Sequence, residues 1–235
     1  VLISIIIPVL NEEDSILSLL DHLNSNASFV RDCEIIVVDG GSTDHTREII
    51  SSYTTDKPAI SLTLVNSPKG RAKQLHEGAL NANGNIFYFL HADSYPPKNF
   101  DNHIRKAIKS GNPAGCFRMK FDSSHLWLKM IGWWTRFNWK ASRGGDQSQY
   151  ITRDLYKEIG GYDTNLPIYE DYDIINKLYE FKKYHVIPKW LKTSDRRYRE
   201  VGVMRLQWYY LQIYYKKYRG ATIEEILAFY RGNCN

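Results

Sequence analysis

Residues 2–9, LISIIIPV, form an unbroken and largely β-branched run, the pattern of a strand covered on both faces. After it, Ile16, Leu17, Leu20, Leu23 and Ala27 recur at helical spacing, with Asn11 as the expected cap and Asp14 three residues on. The same strand-then-helix order returns three times, as 34–39 with a helix near 44–53, 60–66 with 70–82, and 86–91 with 99–109. Four such pairs predict an α/β fold with a Rossmann-like, mostly parallel, doubly wound sheet flanked by helices, because a right-handed crossover helix returns each strand to the same direction. In such a sheet ligands bind beyond the carboxyl ends of the strands. Asn11 and Glu12, 39–44, 67–71 and 91–93 therefore become the segments to read for chemistry.

After Asp93 the alternation fades into an α+β pattern. It comprises a strand at 114–121 (AGCFRMKF), an aromatic helix over 125–139, a turn at Gly145, a helical stretch 174–181 and helices around 203–218 and 222–231. No Ser- or Pro-rich linker and no repeat intervenes, so residues 1–235 read as one domain. At 43% hydrophobic and 24% charged, the chain fits none of the disordered, collagen-like or disulfide-scaffold classes. Cys33, Cys116 and Cys234 are odd in number and lack CxxC or Cys/His spacing, which points to a reducing, cytoplasmic setting rather than to disulfides or zinc. The longest apolar runs, 3–10 and 86–90, fall short of the ~20 residues that cross a bilayer.

Charge is unevenly placed. From Lys182 to Arg219 eleven Lys or Arg face only Asp195 and Glu200, a net +9, which leaves the rest of the +5 chain at −4. That asymmetry points to an anionic partner for the C-terminal third. No nucleic-acid recognition motif accompanies it, so nucleic acid is not expected.

Among the strand ends, Asp39-Gly40-Gly41-Ser42-Thr43-Asp44 opens a helix. Its glycines let a ligand approach the backbone, Ser42 or Asp44 caps the helix, and Asp39 is left free for base or ribose hydrogen bonds. A plain tight turn with a solvated Asp is the equal alternative. Pro8, Asn11 and Glu12 end the first strand, where acidic helix capping competes with ligand recognition. His91-Ala92-Asp93, read as extended, puts both outer side chains on one side. Asp93 then offers a hard ligand for Mg²⁺ or Mn²⁺, with His91 a softer partner. Arg71 suits a phosphate. Glu170-Asp171-Tyr172-Asp173 gathers three carboxylates, one of which can act as general base; ordinary acidity at a helix start is the rival. Asp146 and Gln147 in a Gly-Gly-Asp-Gln turn can meet polyhydroxyl groups, and Arg196 and Arg197 can close over a diphosphate or lie in an exposed basic loop.

In combination, Ile5 to Glu12 (IIIPVLNE), Ile36 to Thr46 (IVVDGGSTDHT), Gly70-Arg71-Ala72 and Phe89 to Asp93 (FLHAD) resemble the nucleotide-sugar half of family-2 glycosyltransferases with the GT-A fold. Gly144 to Gln147, Glu170-Asp171 and Thr193 to Tyr198 extend the resemblance to a small bacterial subset. It implies a nucleotide-sugar half, 1–95, and an acceptor and catalytic half, 96–235. It further implies Glu12 and Asp39 on the nucleoside, UDP or GDP, Arg71 near the donor and Asp93 on a divalent metal. Asp171 would be the base of an inverting hexosyl transfer, with Arg196 or Arg197 as helpers. His91 stands where many relatives carry the first Asp of a DxD. Arg196-Arg197-Tyr198 matches only part of the Q-x-x-R-W motif of processive members, so polymer synthesis is not implied.

The rival enzyme, a sugar-phosphate nucleotidyltransferase, would carry a Gly-rich, Arg/Lys-bearing loop after the first strand, where this chain has Pro8-Val9-Leu10-Asn11-Glu12. A nucleotide-sugar-binding protein without turnover is disfavoured by Asp93 and Asp171 together. The acceptor is a glycan, a lipid or a small hydroxyl compound. The aromatic stretch 126–139, with Lys129, Arg136 and Lys140, and the Tyr/Lys-rich 209–219 are expected as a core helix with a solvated basic face. Peripheral contact with the inner face of a membrane is the second reading.

Overall fold

The structure, a computed structural model, describes residues 1–55 and 59–234. Its first half alternates as expected: β1 (Ile3–Val9), α1 (Ile16–Asn26), β2 (Cys33–Asp39), α2 (Thr46–Thr55), β3 (Ser61–Asn66), α3 (Arg71–Asn81), β4 (Ile86–Phe89), β5 (Ser94–Tyr95) and α4 (Phe100–Lys109). The second half adds β6 (Ala114–Phe121), α5 (Leu126–Trp134), β7 (Gln149–Thr152), α6 (Arg153–Glu158), α7 (Glu170–Glu180), β8 (Tyr184–Thr193), α8 (Arg196–Val201), α9 (Val203–Tyr218) and α10 (Ile223–Asn233). All eight strands join one sheet in the order β3-β2-β1-β4-β7-β6-β8-β5. Strands β1 to β4 pair in parallel; β7 runs antiparallel to both β4 and β6, β8 is parallel to β6, and β5 is antiparallel to β8. Six strands thus share one direction, and the mostly parallel sheet holds.

Period-two alternation divides β1 between two cores. Ile3, Ile5, Ile7 and Val9 pack with α1, α2 and α4 on one face, while Ile6 joins α3, α6 and α7 on the other. Burial on both faces explains the unbroken apolar run. Gly78 in α3 lies so close to Ile6 and Val38 that a Cβ there would overlap them, which brings α3 hard against the strand ends it serves. A third, smaller core ties α9 to α10 through Leu206, Ile213 and Ile226 and reaches Ile168 and Tyr169 just before α7.

Several expectations fail locally. Asn11 does not cap α1: the N-cap is Ser15, and Asn11 sits at φ +57. Residues 91–93 form a turn rather than an extended strand end, closed by Ser94 N–H donating to the His91 carbonyl at 3.2 Å. The helix expected from 174 begins at Glu170, so its acidic residues lie in the first turn. The aromatic helix α5 is not core: among its residues only Leu128 and Gly132 are buried, and Leu126, Trp133 and Trp134 face solvent. No helix among the described residues is long and apolar enough to cross a membrane.

Candidate active site

The ends of β1 and β2 are laced into one shelf. Asn11 N–H donates to Ser42 Oγ at 3.0 Å, Thr43 N–H donates to Asn11 Oδ1 at 2.8 Å, and Glu12 N–H donates to Thr46 Oγ1 at 2.8 Å. The left-handed Asn11 turns its amide onto the neighbouring loop, which is why it cannot cap α1. Asp44 does cap the start of α2, accepting from Thr46 N–H at 3.1 Å. Pro8 lies two residues past the last β1–β4 pair, Ile6 with Phe89, so its missing N–H falls where β4 has diverged. Behind the shelf, Gln74 of α3 donates from Nε2 to the carbonyls of Val9 and Val38 at 2.7 and 2.8 Å, closing the gap between the two strand ends.

Asp39 is 1% exposed and is not free. Its carboxylate accepts from Ser42 N–H at 3.0 Å and from Arg47 Nη1 at 2.7 Å, and Arg47 also donates to Asn66 Oδ1 at 2.6 Å. Burial alone would raise the Asp39 carboxyl, but the bonds from Ser42 and Arg47 outweigh it and hold the group below its ordinary range. Arg47, the second residue of α2, was not anticipated; a cation just after an Asp-Gly-Gly turn was the available signal. Beside Asp39, Gly41 sits at φ +95 with open space around it, a stretch of bare backbone facing the crevice.

Opposite this shelf, Arg71 at the start of α3 joins three distant segments. Its Nη2 contacts both Asp171 Oδ2 and His91 Nε2, and its Nε lies 3.3 Å from Glu170 Oε1. Gly145 packs against this pair so tightly that a Cβ would overlap Asp171 Oδ2 and Arg71 Nη2. Burial raises the Asp171 carboxyl, Arg71 opposes it, and Glu170 and Asp146 add to the rise, which ends at about 6. Tyr169, the residue before Glu170, adopts φ +68, a left-handed conformation that α7 and the C-terminal helices hold in place.

Between shelf and clamp lies Asp93. Burial, then Asp146 and Glu12, push its carboxyl upward, while Arg196 pulls the other way. Arg196 itself binds Glu12, with Nη2 3.2 Å from Oε1. Asp146 projects from the turn Gly145–Gln147, largely exposed, with Oδ1 3.9 Å from His91 Nδ1. Burial, with Arg71 and Arg197 beyond it, holds His91 well below the usual imidazole range and therefore neutral near pH 7. The expected His91 and Asp93 pair is thus not the arrangement found, since His91 turns to Arg71 and Asp146. Among the described residues no three His, Cys, Asp or Glu side chains form a ready-made metal cluster.

Two further assignments change. Gln147 is buried and spent on structure: its Oε1 accepts from Arg143 Nη1 at 2.7 Å and from Cys116 Sγ at 3.3 Å, so it cannot reach a sugar. Arg197 turns toward the C-terminal helices, donating to the Tyr230 hydroxyl at 2.7 Å. Glu12, Arg71, His91, Asp93, Asp146, Glu170, Asp171 and Arg196 are linked through these contacts into one charged crevice, and Pro8, Asn11 and Asp39 belong to the shelf beside it. A polar cavity of about 480 Å³ opens beside Asp93 and Arg196, bounded by Lys192, Asp122 and Arg199.

Residues 4–162 match glycosyl transferase family 2. The chain belongs to that family. Similar proteins include an undecaprenyl-phosphate 4-deoxy-4-formamido-L-arabinose transferase of Yersinia pestis (strain Pestoides F), 26% identical over 204 residues, 86% of this chain and 58% of that protein. A probable glycosyltransferase YdaM of Bacillus subtilis (strain 168) is also 26% identical, over 78% of this chain and 48% of its own length. This family-2 chain therefore spans about half the length of the curated relatives it matches. Its fold is the GT-A fold. S. aureus TarS superposes with a TM-score of 0.67 at 19% identity, covering 88% of this chain and 39% of TarS. A TarS fragment, residues 1–349, has been solved with UDP-GlcNAc. The mannosyltransferase PcManGT from Pyrobaculum calidifontis, in complex with GDP-Man and Mn²⁺, gives 0.65 at 19% identity over 81% of this chain and 56% of its own.

Proposed function

We propose that this chain transfers a hexosyl group from a nucleoside-diphosphate sugar, UDP- or GDP-linked, to an acceptor hydroxyl with inversion at the anomeric carbon. The observation that carries the reading is Asp171, a carboxylate raised to about 6 by burial and held against Arg71, with Asp146 acting electrostatically on both it and Asp93. A base with that affinity is ionised at neutral pH yet accepts a proton more readily than a solvated aspartate.

The shelf takes the nucleoside. Glu12 and Asp39 face base and ribose, the turn of Pro8 and Asn11 shapes the floor, and the open backbone at Gly41 admits the ligand closely. Asp39 is already held by Ser42, Gly41 and Arg47, so a ribose hydroxyl or base N–H reaches it by sharing or displacing one of those donors. Asp93 is a hard oxygen donor crowded by Asp146 and Glu12, a charge environment that a divalent cation would relieve, so it is the residue that would hold Mg²⁺ or Mn²⁺. His91, neutral but engaged by Arg71, is a subsidiary donor. Held at Asp93, such a cation would supply positive charge against the leaving diphosphate.

Asp171 accepts the proton of the acceptor hydroxyl as that oxygen bonds to the anomeric carbon. The bond from this carbon to the diphosphate oxygen breaks, and its electron pair leaves with the nucleoside diphosphate. Arg71 moves from Asp171 toward the phosphates as the donor enters, freeing the base, and Arg196 offsets the charge that develops there. Glu170 orients Arg71, and Asp146 meets sugar hydroxyls. The acceptor is a glycan, a lipid or a small hydroxyl compound; a lipid acceptor would place the cytoplasmic chain at the inner face of a membrane, in keeping with the name of the Yersinia relative.

Asp171→Asn tests the assignment. Transfer should fall by roughly 10²–10⁴-fold, the usual contribution of a general base, while calorimetric donor binding persists. Transfer at the wild-type rate would remove Asp171 from the role.

A further inference from the structure

From Val203 to Arg219 the chain carries Arg205, Lys216, Lys217 and Arg219 and no acidic residue. Along α9, Met204, Trp208, Leu211, Tyr215 and Tyr218 recur at alternating steps of four and three, which places them on one face of the helix. Every one of them is at least 59% exposed, and Tyr218 reaches 87%. The opposite face is satisfied, with Leu206 and Ile213 buried against α10. The result is an unpartnered apolar stripe roughly 20 Å long at 1.5 Å per residue. A second acid-free stretch, 123–145, carries exposed Leu126, Trp133 and Trp134 beside Lys129, Arg136 and Lys140. The two elements meet at Tyr172, whose ring centroid lies 4.1 Å from Lys217 Nζ and 5.8 Å from Lys140 Nζ. Tyr172 directly follows Asp171, so the surface borders the crevice.

We infer that this face docks on an anionic phospholipid bilayer, with α9 lying along the interface. Tryptophan and tyrosine sit at the boundary between headgroups and acyl chains, and the flanking cations meet anionic headgroups. A second copy of the chain on the same stripe would set these cations against one another, whereas an anionic lipid surface neutralises them. The face lies beside the crevice, so docking brings the cleft mouth to the lipid surface. The inference does not depend on the roles given to Asp93 or Asp171.

The test is co-sedimentation of the 235-residue chain with vesicles of phosphatidylcholine alone or mixed with phosphatidylglycerol, alongside sedimentation equilibrium without lipid. Wild type should bind the mixed vesicles at least roughly tenfold more tightly than neutral ones, and added salt should weaken that binding. Trp208→Ser with Leu211→Ser should lower binding by roughly tenfold or more, with an unchanged melting temperature because both side chains already face water. Arg205→Glu with Arg219→Glu should abolish the preference for the anionic lipid. Equal partitioning of wild type and both variants, no binding by wild type, or a dimer that the Trp208 and Leu211 changes dissociate would each overturn the inference.

Discussion

The two sides of the crevice are built on different principles. On the nucleoside side, the loops after β1 and β2 hold each other through hydrogen bonds of Asn11 with Ser42 and Thr43 and of Glu12 with Thr46, with Gln74 pinning the strand ends from behind. On the other side, the acidic start of α7 is placed by Arg71, one hundred residues away in the chain, and the basic α8 is joined to the loop after β1 by Arg196 and Glu12. The first side joins neighbouring strand ends through bonds that each use a backbone group; the second is a set of charges brought together by the fold. The lesson is one of tolerance. A hydrogen-bonded shelf holds its form without a ligand, whereas ion pairs that face a cleft can exchange partners when a diphosphate arrives.

Gly145 offers the sharpest way to break the charge-held side while sparing the shelf. A methyl there first meets the Asp171 carboxyl group and Arg71 Nη2, side-chain ends that can swing aside. Gly145→Ala is therefore expected to leave the melting temperature nearly unchanged and to lower transfer by about a hundredfold, the order of loss from misplacing a reacting group by about 1 Å. A variant that keeps full activity would show that the Asp171 position tolerates displacement and that the clamp is only structural.

This division also decides what was legible in the residues beforehand. The β-branched runs of β1 and β2 and the helix spacing after them reveal strand, helix and strand end alike, because each signal lies within a dozen residues. Strand β8 shows nothing comparable: Pro188 and charged neighbours interrupt it, and the register with β6 shifts from Phe117 paired with Ile187 to Arg118 paired with Trp190. Strand β7 spans only Gln149–Thr152 and inserts antiparallel between β4 and β6, a placement set by tertiary pairing. The start of α7 escaped because a tyrosine at φ +68 precedes it, a conformation no propensity favours. For the site, Asp39, Asp93 and Asp171 stood out as acids at element ends, while their partners Arg47 and Arg71 could not be assigned to them without the fold. Gln147 misled because a polar residue in a Gly-Gly turn reads as solvent-facing, whereas Arg143 and Cys116 draw it inward.

A change in acid response would sharpen the comparison further. Asp171 must be unprotonated to accept the acceptor's proton; with its carboxyl raised to about 6, transfer should be full above that pH and decline as pH falls through it. Burial is the larger influence and Arg71 the opposing one, so Arg71→Met should move the acid limb of kcat/KM to higher pH. The shape of the profile, rather than the absolute rate, is the readout, because the same change also weakens donor binding. A limb that stays in place or moves to lower pH would mean that Arg71 does not act on Asp171.

The smallest effect concerns the link between the two sides. Arg196 and Glu12 lie 3.2 Å apart, but their side chains are 45% and 18% exposed, so water screens the pair. An ion pair in that setting is worth less than about 1 kcal/mol, and in a chain of this length that corresponds to a melting-temperature loss below roughly 4 °C. Arg196→Ala should show that small loss at low salt, and the difference from wild type should shrink as salt rises, since a half-exposed pair is what ions screen best. Donor affinity is the discriminating quantity, because a guanidinium that leaves Glu12 for a phosphate contributes more to the bound state than to the free one. A severalfold weaker donor Kd with near-normal stability fits a partner-exchanging residue. A drop in stability as large as that of a buried pair, with donor affinity intact, would instead make Arg196 a fixed strut, and the second side of the crevice as rigid as the first.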